Sequence, residues 1–256
     1  MGNLNNGENL RESRIKAGTK LISLSCGEFY LKSNYQDFMR FQPVDVSIAG
    51  DAEATLPALI EAVRSALPAE RTGAIEMRGE ALHKAWKETR ERALVAATHG
   101  WDASPISTAR LCAELWAQIK DEDWSLVSPD AFVSSWPRRL WPMERHYHYL
   151  GGPGGYGVGY GAPAAVGAAL ANRAEGRLSV NIQADGDLMY APGVLWTAVH
   201  HRIPLLSVMH NNRGYHQEVT HVQRMANLRD RVLNAGPVGT TIEGPNIEYA
   251  KLAQSR

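Results

Sequence analysis

Residues 178–187 read LSVNIQADGD, and residues 203–214 read IPLLSVMHNNRG. Each segment is a short apolar run that ends in polar residues and glycine, which is typical of a buried β-strand followed by a turn. Val194, Leu195 and Val199 lie between the two runs at helical spacing and predict a short helix. A strand, a helix and a second strand in this order predict a βαβ unit, and therefore a parallel sheet with helices on both faces.

Two polar residues follow these strands directly. Asp185 comes after the first run and Asn212 after the second, 27 residues further along the chain. The carboxyl ends of parallel strands meet at one edge of a sheet, which is where open α/β sheets bind their ligands. A carboxylate, an amide oxygen and a main-chain carbonyl form part of an oxygen cage that suits Mg²⁺, and phosphate oxygens and water would complete it. Either motif alone would fit an ordinary turn, but the pair at this spacing favours an ion site.

A glycine-rich stretch, GGPGGYGVGYG at residues 151–161, leads into the small-residue segment APAAVGAAL. Pro163 suits the first turn of a helix, and a loop with few side chains lets the backbone approach a ligand. A GxGxxG pattern also falls within the stretch, at Gly152, Gly154 and Gly157. A nicotinamide-binding site is the weaker interpretation, because residues 145–150 are a poor strand and the next acidic residue, Asp185, is displaced.

The amino-terminal part predicts half of another parallel α/β domain. Lys20–Ser25 and Val44–Ala49 are short apolar runs, and apolar residues then recur at helical spacing until Pro68. Ile75–Thr98 predicts a charged helix, and the chain breaks around residues 101–105. We therefore expect a partial central α/β domain at residues 1–72, a helical connector at 73–100 and the main domain at 101–256.

Composition excludes several classes of function. The chain has 256 residues, 27 basic and 27 acidic side chains, and 44% hydrophobic residues. A net charge of zero gives no reason to expect a nucleic acid as partner, and no apolar run of about 18 residues is present to span a membrane. Two cysteines without a CxxC motif and a polar amino terminus lead us to expect a cytoplasmic protein.

The segment from about Trp101 onward resembles the diphosphate-binding domain of thiamin-diphosphate-dependent enzymes of the acetolactate synthase, pyruvate decarboxylase and benzoylformate decarboxylase superfamily. The family's GDG and later NN appear here as ADGD and HNNRG, with Ala184 in place of the first glycine. VGYGAPAAVGAALA resembles the family's MGxGLPAAIGA. Residues 20–68 resemble the last part of the family's central domain, so the resemblance covers most of the chain and implies that it is truncated.

The resemblance also implies roles for particular residues. Asp185, Asn212 and the carbonyl of Gly214 would bind Mg²⁺. Val158 would support the bent conformation of the cofactor, and the other residues expected at thiamin diphosphate are Gly157, Gly159, Gly186, Asp187 and Tyr215. His216 and Glu218, on the segment that covers the cofactor in relatives, are the candidates for proton transfer at the reacting carbon.

By the same resemblance, the chain would be the Mg²⁺- and thiamin-diphosphate-binding part of an acetolactate-synthase-like transferase or lyase. It would act on a 2-oxo acid or related acyl donor, through an enamine that adds to a second carbonyl. Simple decarboxylation is the alternative, and a non-catalytic remnant or oligomerisation module is an alternative of another class. We find no segment that resembles the family's pyrimidine-binding domain with its glutamate. We therefore expect that domain in a partner or missing segment, homo-oligomerisation, and no turnover by the chain alone.

Overall fold

A computed structural model describes residues 16–26, 44–152, 157–232 and 236–255. The chain divides into two compact units, residues 1–81 and 82–256, and the dividing point lies inside helix α2, Thr72–Ala97. That helix confirms the helical interpretation of residues 75–98. The domain boundary after residue 100 stays a prediction.

In the first unit, strands β1 (Ile22–Ser25) and β2 (Val46–Ala49) pair in parallel. Helix α1 (Ala52–Ala66) follows, and the Asp51 carboxylate caps it by accepting hydrogen bonds from the backbone N–H groups of Glu53 and Ala54. The order strand, strand, helix agrees with the sequence pattern. The connection between the two strands, residues 27–43, lies outside the described residues.

The second unit contains a parallel sheet in the order β3, β4, β5. The strands are β3 (Trp124–Leu126), β4 (Leu178–Ala184) and β5 (Leu206–His210). The helices are α3 (Thr108–Ile119), α4 (Trp136–Leu140), α5 (Gly161–Asn172), α6 (Asp185–Tyr190), α7 (Val194–His200), α8 (His216–Leu228) and α9 (Tyr249–Gln254). The parallel α/β architecture predicted from the sequence is therefore confirmed.

One face of β4 packs on the main apolar core. Val180 and Ile182 are fully buried against a cluster to which α3, β3 and α4 contribute. Three tryptophan rings lie at its centre, with centroids 5.5–5.8 Å apart, and they belong to Trp116, Trp124 and Trp141. Rings of this size bury a large apolar area, so this cluster is the main source of stability in the unit.

The opposite face of β4 is polar and equally buried. Successive strand residues point to opposite faces, so Ser179, Asn181 and Gln183 share the face that Val180 and Ile182 do not. Helix α5 covers this face, and the amide of its last residue, Asn172, donates a hydrogen bond to the Ser179 hydroxyl at 3.0 Å. Helices thus cover both faces of the sheet, as predicted.

No helix in the described ranges combines the length and the apolar character that crossing a lipid bilayer requires.

Candidate functional site

The ends of β4 and β5 lie side by side. The last pair in their register joins Ala184 to His210. Asp185 follows the first of these residues directly, and Asn212 lies two residues beyond the second. Both polar residues therefore lie at the same edge of the sheet, as their spacing predicts.

The side chains of these two residues meet at one backbone group. The N–H of Gly214 lies 3.2 Å from Asp185 Oδ2 and 3.2 Å from Asn212 Oδ1. The contact with Asn212 alone would be an ordinary Asx turn, in which a side chain accepts from the backbone two residues on. A local turn does not explain the contact with Asp185, which comes from a different strand end. The two oxygens thus converge on a single point.

The carbonyl of Gly214 points to the same side of its segment as the Gly214 N–H, which contacts Asp185 and Asn212. Gly214 forms an antiparallel bridge with Thr241, in which Tyr215 N–H donates to Thr240 O and Ile242 N–H donates to Arg213 O, both at 2.8 Å. In this arrangement the N–H and C=O of the bridged residue itself point away from the partner segment. A Cβ at Gly214 would lie 2.7 Å from the carbonyl oxygen of Thr240, so the close approach of the segments requires glycine.

Asp185 is a buried carboxylate that pairs with no cationic side chain in the part of the chain that the structure describes. Only 1% of the residue is exposed, and no ion pair joins it to any side chain in the described ranges. Buried charges in proteins are normally paired or bound to a metal. The donor set of one carboxylate, one amide oxygen and one carbonyl is the set that Mg²⁺ accepts, so these residues fit the ion.

Burial at this edge also changes the pKa of nearby groups. Burial lowers the pKa of His210, although the charge of Asp185 opposes that shift. It raises the pKa of Tyr249 to about 12, and Asp185 and Tyr215 add to the effect. The Tyr249 hydroxyl is buried and has no hydrogen-bond partner among the described residues. Among the described residues, the site thus combines a buried hydroxyl that has no acceptor with a buried carboxylate that has no ion pair.

The end of the glycine-rich stretch is held by a second buried acid. Asp187 accepts hydrogen bonds from the backbone N–H of Gly159 at 2.6 Å and of Gly161 at 3.0 Å, and from the side-chain amide of Gln183 at 2.8 Å. Gly159 has a φ of +89°, and a Cβ there would lie 2.7 Å from Cβ of Tyr190. The conformation and the contact both require glycine at this position.

The other predicted cofactor residues surround this edge. Gly157 is exposed, and Val158 is 50% exposed beside it, so both are accessible to a ligand. Tyr215 places its hydroxyl 3.1 Å from the carbonyl oxygen of Gly186 and donates a hydrogen bond to it. Gly154, the central glycine of the GxGxxG pattern, lies outside the described residues. Contacts of these residues with a cofactor stay predictions.

His216 and Glu218 lie in the first turn of α8, and both are exposed. No hydrogen bond joins either side chain to the residues around Asp185 within the described part of the chain, so their catalytic role stays a prediction. Sequence reasoning missed Gln183 and Tyr249. The only sequence signal for Gln183 was the alternation of the strand, in which polar residues such as Asn181 and Gln183 occupy every second position.

Comparison with known proteins agrees with this geometry. Residues 132–256 match the family model described as "Thiamine pyrophosphate enzyme, C-terminal TPP binding domain". This match covers just under half of the chain and shows that residues 132–256 are similar to the cofactor-binding domain of thiamin-diphosphate-dependent enzymes. The matched segment contains β4, β5 and every residue of the candidate site.

A curated member of the superfamily is similar to part of the chain. A Mycobacterium tuberculosis protein named "Putative acetolactate synthase large subunit IlvX" is 32% identical over 103 residues, which are 39% of this chain and 19% of that protein. The similar region thus spans about a fifth of the relative's length. A solved structure, the thiamine diphosphate-dependent 4-hydroxybenzoylformate decarboxylase of Rhodococcus jostii RHA1, shares 25% identity over 59% of this chain and 26% of its own, with a TM-score of 0.48.

Proposed function

We propose that this chain binds Mg²⁺ and thiamin diphosphate at the edge formed by β4 and β5. It would supply the diphosphate-binding half of an acetolactate-synthase-like enzyme that acts on a 2-oxo acid or a related acyl donor. The observation that carries the proposal is the convergence of Asp185 Oδ2 and Asn212 Oδ1 on the N–H of Gly214.

In this proposal Asp185, Asn212 and the Gly214 carbonyl hold the ion, and the ion holds the diphosphate. Gly186 and Asp187 lie in the first turn of α6, where backbone N–H groups have no partner within the helix and can face phosphate oxygens. Val158 and Tyr215 would contact the rest of the cofactor. Thiamin diphosphate, when bound, supplies the carbanion-stabilising centre for cleavage beside a carbonyl group.

The name of the curated relative favours carboligation over simple decarboxylation. Activity would require a pyrimidine-binding domain from another chain or segment, because the family-model match covers only the carboxyl-terminal domain. The proposal also includes a homo-oligomer and a cytoplasmic location. His216 and Glu218 would be the groups that move protons at the substrate.

Binding of thiamin diphosphate to the purified chain tests the proposal. We expect a magnesium-dependent rise in melting temperature with thiamin diphosphate, and we expect Asp185→Ala to abolish it because the ion loses the one charged ligand that the proposed site residues supply. Asp121→Ala, a change of an exposed carboxylate in the same unit, is the matched control and should keep the response.

The other outcomes separate the alternatives. No response to thiamin diphosphate at any magnesium concentration would support a non-catalytic remnant and refute the proposal. Stabilisation by a nicotinamide dinucleotide without magnesium would support the dinucleotide interpretation instead. Steady turnover of a 2-oxo acid by the chain alone would contradict the requirement for a second domain.

A further inference from the structure

Helix α6 carries two buried carboxylates in one turn, and the protein satisfies them differently. Asp185 and Asp187 are 1% and 4% exposed. Residues two apart on a helix point in nearly opposite directions, so the two carboxylates face different surroundings. Among the described residues, Asp185 accepts one hydrogen bond, from the backbone N–H of Gly214, whereas Asp187 accepts hydrogen bonds from three N–H groups.

The three donors to Asp187 have a common effect. Two are backbone N–H groups at the end of the glycine-rich stretch, one of which, at Gly161, opens helix α5. The residue before it, Tyr160, makes no side-chain capping hydrogen bond, so Asp187 caps this helix from another part of the chain. The negative charge also lies at the positive end of a 12-residue helix. The contact therefore fixes where the loop ends and the helix begins.

The third donor connects this contact to the strand. Gln183 is 1% exposed, and its amide nitrogen donates to Asp187 while its oxygen accepts from Asn181 at 3.2 Å. Asn181 in turn donates to the hydroxyl of Ser207 on β5 at 3.2 Å. A chain of hydrogen bonds thus runs from the sheet to the loop, and each buried donor in it holds the next group in place.

We infer that Asp187 is a positioning residue, whose carboxylate fixes the loop at Gly159 and Gly161 so that Val158 stands at the cofactor edge. The inference rests on the proposed function and deepens it. The two N–H groups of the loop are saturated by a charge of the protein itself, so they are not phosphate ligands. The same three hydrogen bonds stabilise the negative charge of Asp187 inside the protein.

Nuclear magnetic resonance of the purified chain without cofactor tests the contact itself. A short hydrogen bond from an amide N–H to a carboxylate moves the amide proton signal downfield, so we expect downfield signals for Gly159 and Gly161. We also expect a scalar coupling across the hydrogen bond between Gly159 N and the Asp187 carboxylate. Asp187→Asn should move both signals upfield and speed their exchange with solvent about tenfold. Absence of the coupling in the unaltered chain would overturn the inference without any variant.

Calorimetric titration with thiamin diphosphate separates positioning from ion binding. We expect Asp187→Asn to raise the Kd about tenfold while the magnesium concentration for half-maximal binding stays within about twofold of the unaltered chain. Asp185→Asn should instead remove the dependence on magnesium and leave the Gly159 and Gly161 signals unchanged. Asp121→Asn is the matched control for the loss of one charge.

The results distinguish a failure of this inference from a failure of the proposed function. If Asp187→Asn abolishes magnesium dependence or leaves the loop signals unchanged, Asp187 is not the positioning group and the inference is wrong. If the unaltered chain binds no thiamin diphosphate but shows the Gly159 coupling, the proposed function is wrong, and so is the part of the inference that concerns cofactor affinity, whereas the assignment of the loop contact to Asp187 holds.

Discussion

The two faces of strand β4 are buried to the same extent, but one makes apolar contacts and the other makes hydrogen bonds. Val180 and Ile182 lie against a cluster of tryptophan rings, where contact is non-directional and the stabilisation scales with apolar area. Asn181 and Gln183 lie under α5 and make hydrogen bonds at 2.8–3.2 Å, each of which fixes one donor against one acceptor. The first face holds the unit together, and the second sets the positions of groups beyond the end of the strand.

This difference follows from the energetics of the two kinds of contact. Apolar packing contributes much to stability but tolerates small shifts of the packed groups. A buried hydrogen bond contributes little net stability, yet leaving its partner unpaired is costly, so it determines geometry more than stability. A site that must hold an ion and a loop in place therefore benefits from a polar strand face, and the strand in turn depends on its apolar face for folding.

Trp141→Ala should cause the largest loss of stability. Trp141 is 1% exposed, stacks with Trp116, and donates its indole N–H to the carbonyl of Cys112 at 2.9 Å. Removing a buried tryptophan leaves a cavity, so we expect the free energy of unfolding to fall by about 3–5 kcal/mol. Urea unfolding followed by circular dichroism measures the change. Trp196→Ala, at a 52% exposed tryptophan of the same unit, should cost less than about 1 kcal/mol.

If Trp141→Ala and Trp196→Ala lower the free energy of unfolding by similar amounts, burial on the apolar face is not the main source of the unit's stability. Both variants should also keep the downfield Gly159 signal wherever they remain folded, since neither tryptophan belongs to the polar chain of hydrogen bonds.

Gln183→Leu should cause an intermediate loss. The change keeps the approximate size of the side chain but leaves Asp187 with two donors instead of three and removes one of the two acceptors of the Asn181 amide. Unpaired buried groups of this kind cost about 1–3 kcal/mol, which is less than a tryptophan cavity. The same urea experiment measures it, with the exposed Gln217→Leu as control. A Gln183→Leu variant that is more stable than the unaltered chain would show that the hydrogen bonds of Gln183 are dispensable for stability.

Much of the fold could be predicted from the sequence because its signals are local. The apolar runs at β4 and β5 and the helical spacing of Val194, Leu195 and Val199 depend only on neighbouring residues. The short helix α6 was not predicted, since Asp185 and Gly186 are typical of a turn. The helix that begins at His216 was also not predicted, because no side chain caps its amino terminus.

The part of the site that strand topology determines could be predicted from the sequence. Two polar residues after two parallel strands must come close together, and Asp185 and Asn212 do so through Gly214. The role of Asp187 was not predictable, because its partners at Gly159 and Gly161 are backbone groups 28 and 26 residues away. Backbone donors carry no sequence signal, so a contact of this kind becomes visible only when the loop and the helix are placed in space.

The smallest effect that we expect is a pH dependence on the apolar face, at His148. Its ring stacks on Trp124 with centroids 4.2 Å apart, and its Nδ1 accepts the backbone N–H groups of Glu144 and Arg145 at 3.1 and 3.2 Å. Burial is the main cause that lowers the pKa of His148, so the folded chain binds this proton less readily than the unfolded chain. The contribution of His148 to stability is therefore fully present above the unfolded pKa of about 6.5 and decreases as the pH falls below it.

Urea unfolding at several pH values on both sides of that pKa measures this dependence. His148→Asn keeps an oxygen acceptor near the position of Nδ1 but cannot titrate, so the decrease on acidification should be smaller in the variant. Protonation of His148 next to the indole should also change the fluorescence of Trp124 in the folded chain. An equal pH dependence in the variant and the unaltered chain would contradict the assignment. Because the ring stacks on Trp124 of the apolar cluster, a confirmed effect would show that one group in contact with this cluster contributes to stability in a way that depends on its charge.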